Sequence, residues 1–231
     1  MKTDTGFQME VLLPFSDRKE AGLLLADRLL RLRLPPPITV IALPRGGVPV
    51  AAVIARVLHA PLDLVLVRKI GAPGQPELAM AAVADGDPPQ LVTDESVWAS
   101  EGGSSDDFES KTRDAMLEIE RRRKVYLRGR APLDLVGRTV VVVDDGIATG
   151  TTMRAALQAL RKRQPAWLVL AVPVAARESI AMLRPEVDQL VCLAEPQIFQ
   201  AVGRHYIEFD QVSDAEVLSA MDEAAADSAP I

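Results

Sequence analysis

The residues best equipped for chemistry stand at 140–152, where Val140-Val141-Val142-Val143 runs into Asp144-Asp145-Gly146-Ile147-Ala148-Thr149-Gly150-Thr151-Thr152. An apolar strand here ends in two carboxylates and turns through small and hydroxyl-bearing residues toward a helix. Ligands of open parallel sheets bind beyond the carboxyl ends of the strands, so a loop of this composition is where a site is expected. Gly150 accepts backbone conformations closed to other residues, which lets successive N–H groups at 148–152 converge on one anion at the positive end of the following helix. Thr149, Thr151 and Thr152 add hydroxyl donors. Such a nest suits a phosphate, but neighbouring carboxylates would repel it. Asp144 and Asp145 must therefore face a neutral or cationic part of the ligand, and ribose hydroxyls and a magnesium ion both fit.

Other loops of this general kind do not match. In a nucleotide-hydrolase loop four residues separate the glycines and a lysine follows, whereas Gly146 and Gly150 enclose three residues and Thr151 stands in the lysine position. The three-glycine dinucleotide fingerprint is absent. A purely structural turn would leave two acids repelling one another at the end of a buried strand, which needs a partner.

The flanking sequence predicts the elements that would position this loop. Asp17 with Glu20 forms a capping box, and Ala21, Leu24, Leu25, Arg28 and Leu32 follow at helical spacing until Pro35-Pro36-Pro37. The run 38–43 reads as a buried strand, broken by Pro44-Arg45-Gly46-Gly47 before a helix at 49–59 and a second strand at 62–67. Glycines and prolines punctuate residues 68–89, within which 78–84 reads as a β-arm. A helix carrying Phe108, Thr112, Ala115, Ile119 and Tyr126 follows the break at 101–105, and its Arg121-Arg122-Arg123-Lys124 run reads as a solvated face. Strands at 140–143, 168–172 and 187–193 alternate with helices at 152–163 and 175–183. Continuous β-branched runs alternating with helices predict an α/β fold, a doubly wound and mostly parallel sheet covered on both faces. No repeat or low-complexity linker divides the chain, so 1–231 reads as one domain, closed by a short helix at 215–221 and an acidic, frayed tail at 222–231.

Composition bounds the partners. The 231 residues carry 26 Lys and Arg against 32 Asp and Glu, a formal charge of −6, which gives no electrostatic footprint for nucleic acid or a membrane surface. No run approaches the roughly 20 apolar residues of a membrane span, and residues 1–10 lack a basic start followed by an apolar stretch, so a soluble, cytoplasmic protein is expected. Cys192, the single cysteine, excludes an internal disulfide and a cysteine-rich metal site. His59 and His205 lack an acid at motif spacing and read as structural.

The segment 140–152 resembles the phosphoribosyl-diphosphate-binding signature of the type I phosphoribosyltransferases, closest to its adenine-type form. The blocks Pro-Arg-Gly-Gly-Val-Pro-Val-Ala, Val-Arg-Lys-Ile-Gly-Ala-Pro-Gly and Pro-Glu-Leu-Ala are similar to a bacterial group within that family whose acceptor is not established, over about residues 15–218. The resemblance implies magnesium-dependent transfer of ribose 5-phosphate to a nitrogenous acceptor, a nucleobase or related heterocycle, with release of pyrophosphate. Its alternative is a non-catalytic sensor of phosphoribosyl diphosphate. It also implies a possible homodimer. By resemblance, Asp144 and Asp145 bind the ribose hydroxyls, directly or through magnesium, and Ala148, Thr149, Gly150, Thr151 and Thr152 wrap the 5′-phosphate. Arg45, Gly46 and Gly47 look like the pyrophosphate loop, and Arg68 with Lys69 like the basic pair opening a flexible lid at about 70–90. Phe199 would stack on the acceptor from a hood at about 195–210, with Tyr206 and Phe209 close behind. Ala148 replaces the aspartate of hypoxanthine-guanine-type enzymes, which argues against a 6-oxopurine mechanism of that kind; Glu77 is the candidate for the acceptor-binding glutamate of adenine-type enzymes.

Overall fold

The computed structural model describes residues 12–72, 75–86, 89–93 and 105–227. Five strands, β1 (Ile38–Ala42), β2 (Leu62–Leu64), β6 (Thr139–Val143), β7 (Trp167–Val174) and β8 (Gln189–Ala194), form a parallel sheet in the order β2-β1-β6-β7-β8. Their side chains divide by parity. Val40, Ala42, Val141, Val143, Val169 and Ala171 face helices α1 (Arg18–Arg31), α2 (Gly47–Leu58), α3 (Ser105–Leu127) and α6 (Asp214–Asp227). Ile41, Val140, Val142, Leu168, Leu170 and Val172 face α4 (Thr151–Lys162) and α5 (Arg177–Leu183). With both faces covered, every position of β6 is buried, which is why its run Val140-Val141-Val142-Val143 is continuously apolar rather than alternating. The doubly wound α/β fold is the one expected.

The strand order fixes the site. From β1 the chain moves outward to β2, then returns to place β6 on the opposite side of β1, so connections leave the carboxyl ends of these neighbours in opposite directions. The crevice of an open α/β sheet lies at such a switch point. Its walls here are the loops 43–46 and 144–150.

Local signals behave as the residues dictate. Asp17 caps α1 by accepting the Glu20 N–H at 2.8 Å, and Glu20 returns the bond to the Ser16 N–H, one residue earlier than a strict box. Three expectations need correction. The second strand does not run through 62–67: β2 ends at Leu64, the Val65 N–H still bonds Ala42 O at 3.1 Å, and the chain then leaves to start β3 (Val67–Ala72). β3 pairs antiparallel with β4 (Gln75–Ala84), and β4 with β5 (Gln90–Thr93), so the β-arm is a three-stranded sheet lying against α4. The basic run on α3 is not wholly solvated, because Arg123 reaches Asp85 at the end of β4 at 3.1 Å. The acidic tail is not frayed from 222: α6 continues to Asp227, buries Val217 and Met221, and holds Arg128 and Arg130 through Asp222. Among the described residues no helix is long and apolar enough to cross a membrane.

Asp63 secures the edge of the parallel sheet. It is 4% exposed and accepts the Leu64 N–H at 2.8 Å and the Leu133 N–H at 2.9 Å, tying β2 to the segment that feeds β6. Asp63→Ala strands both N–H groups and is expected to cost about 1–3 kcal/mol in urea unfolding; an unchanged midpoint would contradict this role.

Candidate active site

The two loops of the crevice touch through backbone. Leaving β1, the chain passes a cis Pro44–Arg45 peptide and enters α2 at Gly47, while the Leu43 N–H bonds Val143 O at 3.0 Å. A Cβ at Gly46 would lie 2.2 Å from Asp145 Oδ2, and one at Gly47 would lie 2.7 Å from Val143 O and 2.8 Å from the Asp144 Cα. No side chain fits at either position, so the Arg-Gly-Gly sequence follows from the contact with the acids as well as from any ligand.

The acids are held by partners from three parts of the chain. The Asp145 N–H donates to Asp144 Oδ1 at 2.9 Å. Arg18, the first residue of α1, places Nε at 2.9 Å and Nη2 at 2.8 Å from the same oxygen, Asp145 Oδ2. Tyr206 Oη donates to the Asp145 carbonyl at 2.6 Å. Burial, reinforced by the Asp145 charge, holds the Asp144 carboxyl well above the usual carboxylate range. Burial also raises Asp145, opposed by the Arg18 guanidinium. Arg18 thus engages one Asp145 oxygen and the Asp145 N–H one Asp144 oxygen, and the two carboxyls also interact with each other.

Beyond the acids the loop is anchored and then opens. Ile147 bonds Val174 O at 2.9 Å and receives the Ala176 N–H at 3.0 Å, and Ser179 Oγ donates to Ala148 O at 2.5 Å. Gly150 takes φ +76°, a left-handed conformation that favours glycine, and α4 starts at Thr151 with no side-chain cap and no acid in its first turn. The helix therefore presents unsatisfied N–H groups beside exposed Ala148 and Thr149. Among the described residues no group of three or more Cys, His, Asp or Glu could hold a metal. Two adjacent carboxylates nevertheless fit magnesium, a hard cation that commonly takes one or two protein carboxylates and completes its shell from water and substrate phosphates.

The remaining predicted residues divide. Arg45 lines an open cavity of about 350 Å³ together with Arg18, Gly46, Asp145 and Phe209, and its Nη1 lies 3.6 Å from Asp214 Oδ1. Arg68 and Lys69 are exposed and sit on β3 of the antiparallel sheet, paired with Val83 and Ala82, rather than at the end of a parallel strand. That sheet borders the start of α4, with Ala81, Ala82 and Thr93 next to Thr151 and Ala155. Glu77 lies on β4, and its side chain is outside the described residues. Of the hood aromatics, Tyr206 is 5% exposed between Phe15 and Phe209, with ring centroids 5.4 and 5.0 Å away. Phe209 carries the Arg18 guanidinium 3.9 Å above its ring, and Phe199 packs on His205 at 5.2 Å. Cys192 is half-buried, its thiol pushed up to about 12 by burial.

The electrostatics carry a pH signature. A carboxyl whose pKa is raised in the folded state contributes stability below its unfolded pKa and loses it as pH rises through the folded value. Asp144→Asn keeps an acceptor for the Asp145 N–H and removes the buried charge. Near neutral pH the variant is expected to be more stable than the parent chain by about 1 kcal/mol, the gap closing as the pH falls toward about 4. Thermal unfolding across pH checks this; a variant less stable at neutral pH would contradict it.

Residues 35–204 match the family model described as the phosphoribosyl transferase domain. Two Mycobacterium tuberculosis proteins, each named "Putative phosphoribosyl transferase", are 43% identical over 212 residues, 91% of this chain and 47% of theirs. The chain thus spans about half the length of the curated relatives it matches. A crystal structure of a Thermus thermophilus protein, 41% identical, superposes with a TM-score of 0.79 over 91% of this chain and 99% of that one. With the family model matching most of its length, the chain belongs to the phosphoribosyl transferase domain family.

Proposed function

We propose that this chain transfers ribose 5-phosphate from phosphoribosyl diphosphate to a nitrogenous acceptor, a nucleobase or related heterocycle, with magnesium as cofactor and pyrophosphate as second product. The observation that carries this is the juxtaposition of two carboxylates with an uncapped helix N-terminus and a glycine loop pressed against them. An anion site and a diol site side by side fit a ribose phosphate. The N–H groups at 148–152, with the Thr149, Thr151 and Thr152 hydroxyls, hold the 5′-phosphate, and the carboxylates of Asp144 and Asp145 take the ribose hydroxyls.

Displacement at the anomeric carbon passes through an oxocarbenium-like transition state, so the protein's task is to orient the sugar and to stabilise charge gathering on the leaving group. Arg45 suits the second role, since its 3.6 Å pairing with Asp214 is partly exposed and weak enough to yield to a diphosphate. The backbone of Gly46 and Gly47 allows close approach of the same group. Magnesium, when bound, neutralises diphosphate oxygens. Arg68 and Lys69, on an arm that borders the start of α4, bring further positive charge as residues 70–90 close and exclude water from an electrophilic carbon. Phe199 and Glu77 are assigned to the acceptor.

The test is pyrophosphate release by the purified chain with magnesium, phosphoribosyl diphosphate and a panel of purine, pyrimidine and pyridine bases. Turnover with at least one acceptor is expected. Asp144→Asn combined with Asp145→Asn is expected to lower it by about 10²-fold or more while the thermal unfolding transition remains cooperative. Absence of release across the panel, or wild-type turnover in the double variant, would contradict the assignment.

A further inference from the structure

We infer that Arg18 is the positioning residue for the ribose: it holds Asp145 by one oxygen so that the other stays turned toward the sugar, and it hangs that carboxylate from the C-terminal segment. The inference rests on the proposed function above and adds to it a residue outside every loop that the sequence singled out. Nε and Nη2 both converge on Asp145 Oδ2, at 2.9 and 2.8 Å, rather than spreading over the two oxygens in a fork. A fork would have tied both Asp145 oxygens to Arg18; the observed arrangement engages Oδ2 alone. Side-chain rotation is limited as well, because the Gly46 Cα packs so close that a Cβ there would fall 2.2 Å from the same Oδ2.

Arg18 is itself fixed. Its third nitrogen, Nη1, donates to Asp210 O at 2.9 Å, its guanidinium lies 3.9 Å over the Phe209 ring, and the side chain is 11% exposed. Phe209 stacks in turn on Tyr206, whose hydroxyl holds the Asp145 carbonyl. Asp145 is therefore fastened to the segment 206–210 twice, once by its backbone and once through Arg18. A simple counter-ion would neutralise the acid in many geometries; this one selects a single carboxylate orientation.

Calorimetric titration with two probes tests the assignment: phosphoribosyl diphosphate with magnesium, which carries the ribose hydroxyls, and inorganic phosphate, which does not. Arg18→Met is expected to weaken the first by roughly 10- to 100-fold, the range typical of losing a partner that orients a ligand-binding side chain, and to leave phosphate within about twofold. Arg18→Lys, which keeps the charge and one donor, is expected to recover part of the loss. If Arg18→Met does not fold, Arg18→Lys decides alone: a loss confined to the ribose-bearing probe supports the role. Unchanged binding of both probes, or equal loss of both, overturns it while the proposed function stands. A parent chain that binds phosphate but not phosphoribosyl diphosphate overturns both.

Discussion

Two carboxylates on consecutive residues at the end of a buried strand repel one another, and much of the site's construction answers that repulsion. Burial and the neighbouring charge hold the Asp144 carboxyl well above the usual carboxylate range, while Asp145 has Arg18 to offset its charge. Each acid surrenders one oxygen, Asp144 to a backbone N–H and Asp145 to the guanidinium. Such an arrangement is poorly stable in isolation, because a buried charge without full compensation costs several kcal/mol. Under the proposed function a diol, which donates two hydrogen bonds, or a divalent cation, which adds positive charge, supplies that compensation. The acids thus store a tendency to bind.

The sheet order turns this local device into a site. Because β1 and β6 are neighbours whose connections diverge, the glycine loop and the acidic loop meet at one crevice, and α4 begins at its edge. Under the proposed function an acidic chain receives a polyphosphate because the attraction comes from oriented N–H groups and a few local cations rather than from net charge. The antiparallel arm and the C-terminal segment then approach from two sides, the arm along α4 and the segment through Tyr206, Phe209 and Arg18.

What the sequence disclosed and what it hid follow from how local each interaction is. The parallel strands, the helices between them and the 140–152 loop were legible because their signals, apolar runs and a strand-acid-glycine order, lie within a few adjacent residues. The need for a partner to the acids was also legible; its identity was not, since Arg18 and Asp145 are 127 residues apart and no spacing connects them. The hood aromatics show the same limit. Three rings close in sequence looked available for stacking, yet Tyr206 is enclosed between Phe15 and Phe209, and Arg18 covers Phe209. Arg68 and Lys69 were placed at the end of a parallel strand because 62–67 is apolar at every position but Asp63; the chain changes sheets at Val65 and Leu66, and buried residues at a pivot have the same composition as a buried strand.

The central claim, an anion nest and a diol-binding acidic pair acting on one ligand, is tested most directly by a crystal structure of the chain with phosphoribosyl diphosphate and magnesium. The account predicts the 5′-phosphate against the N–H groups at 148–152 and the ribose hydroxyls within hydrogen-bonding distance of Asp144 and Asp145, with Arg18 still on Asp145 Oδ2. A 5′-phosphate bound elsewhere, or a ribose that makes no contact with either acid, would contradict it.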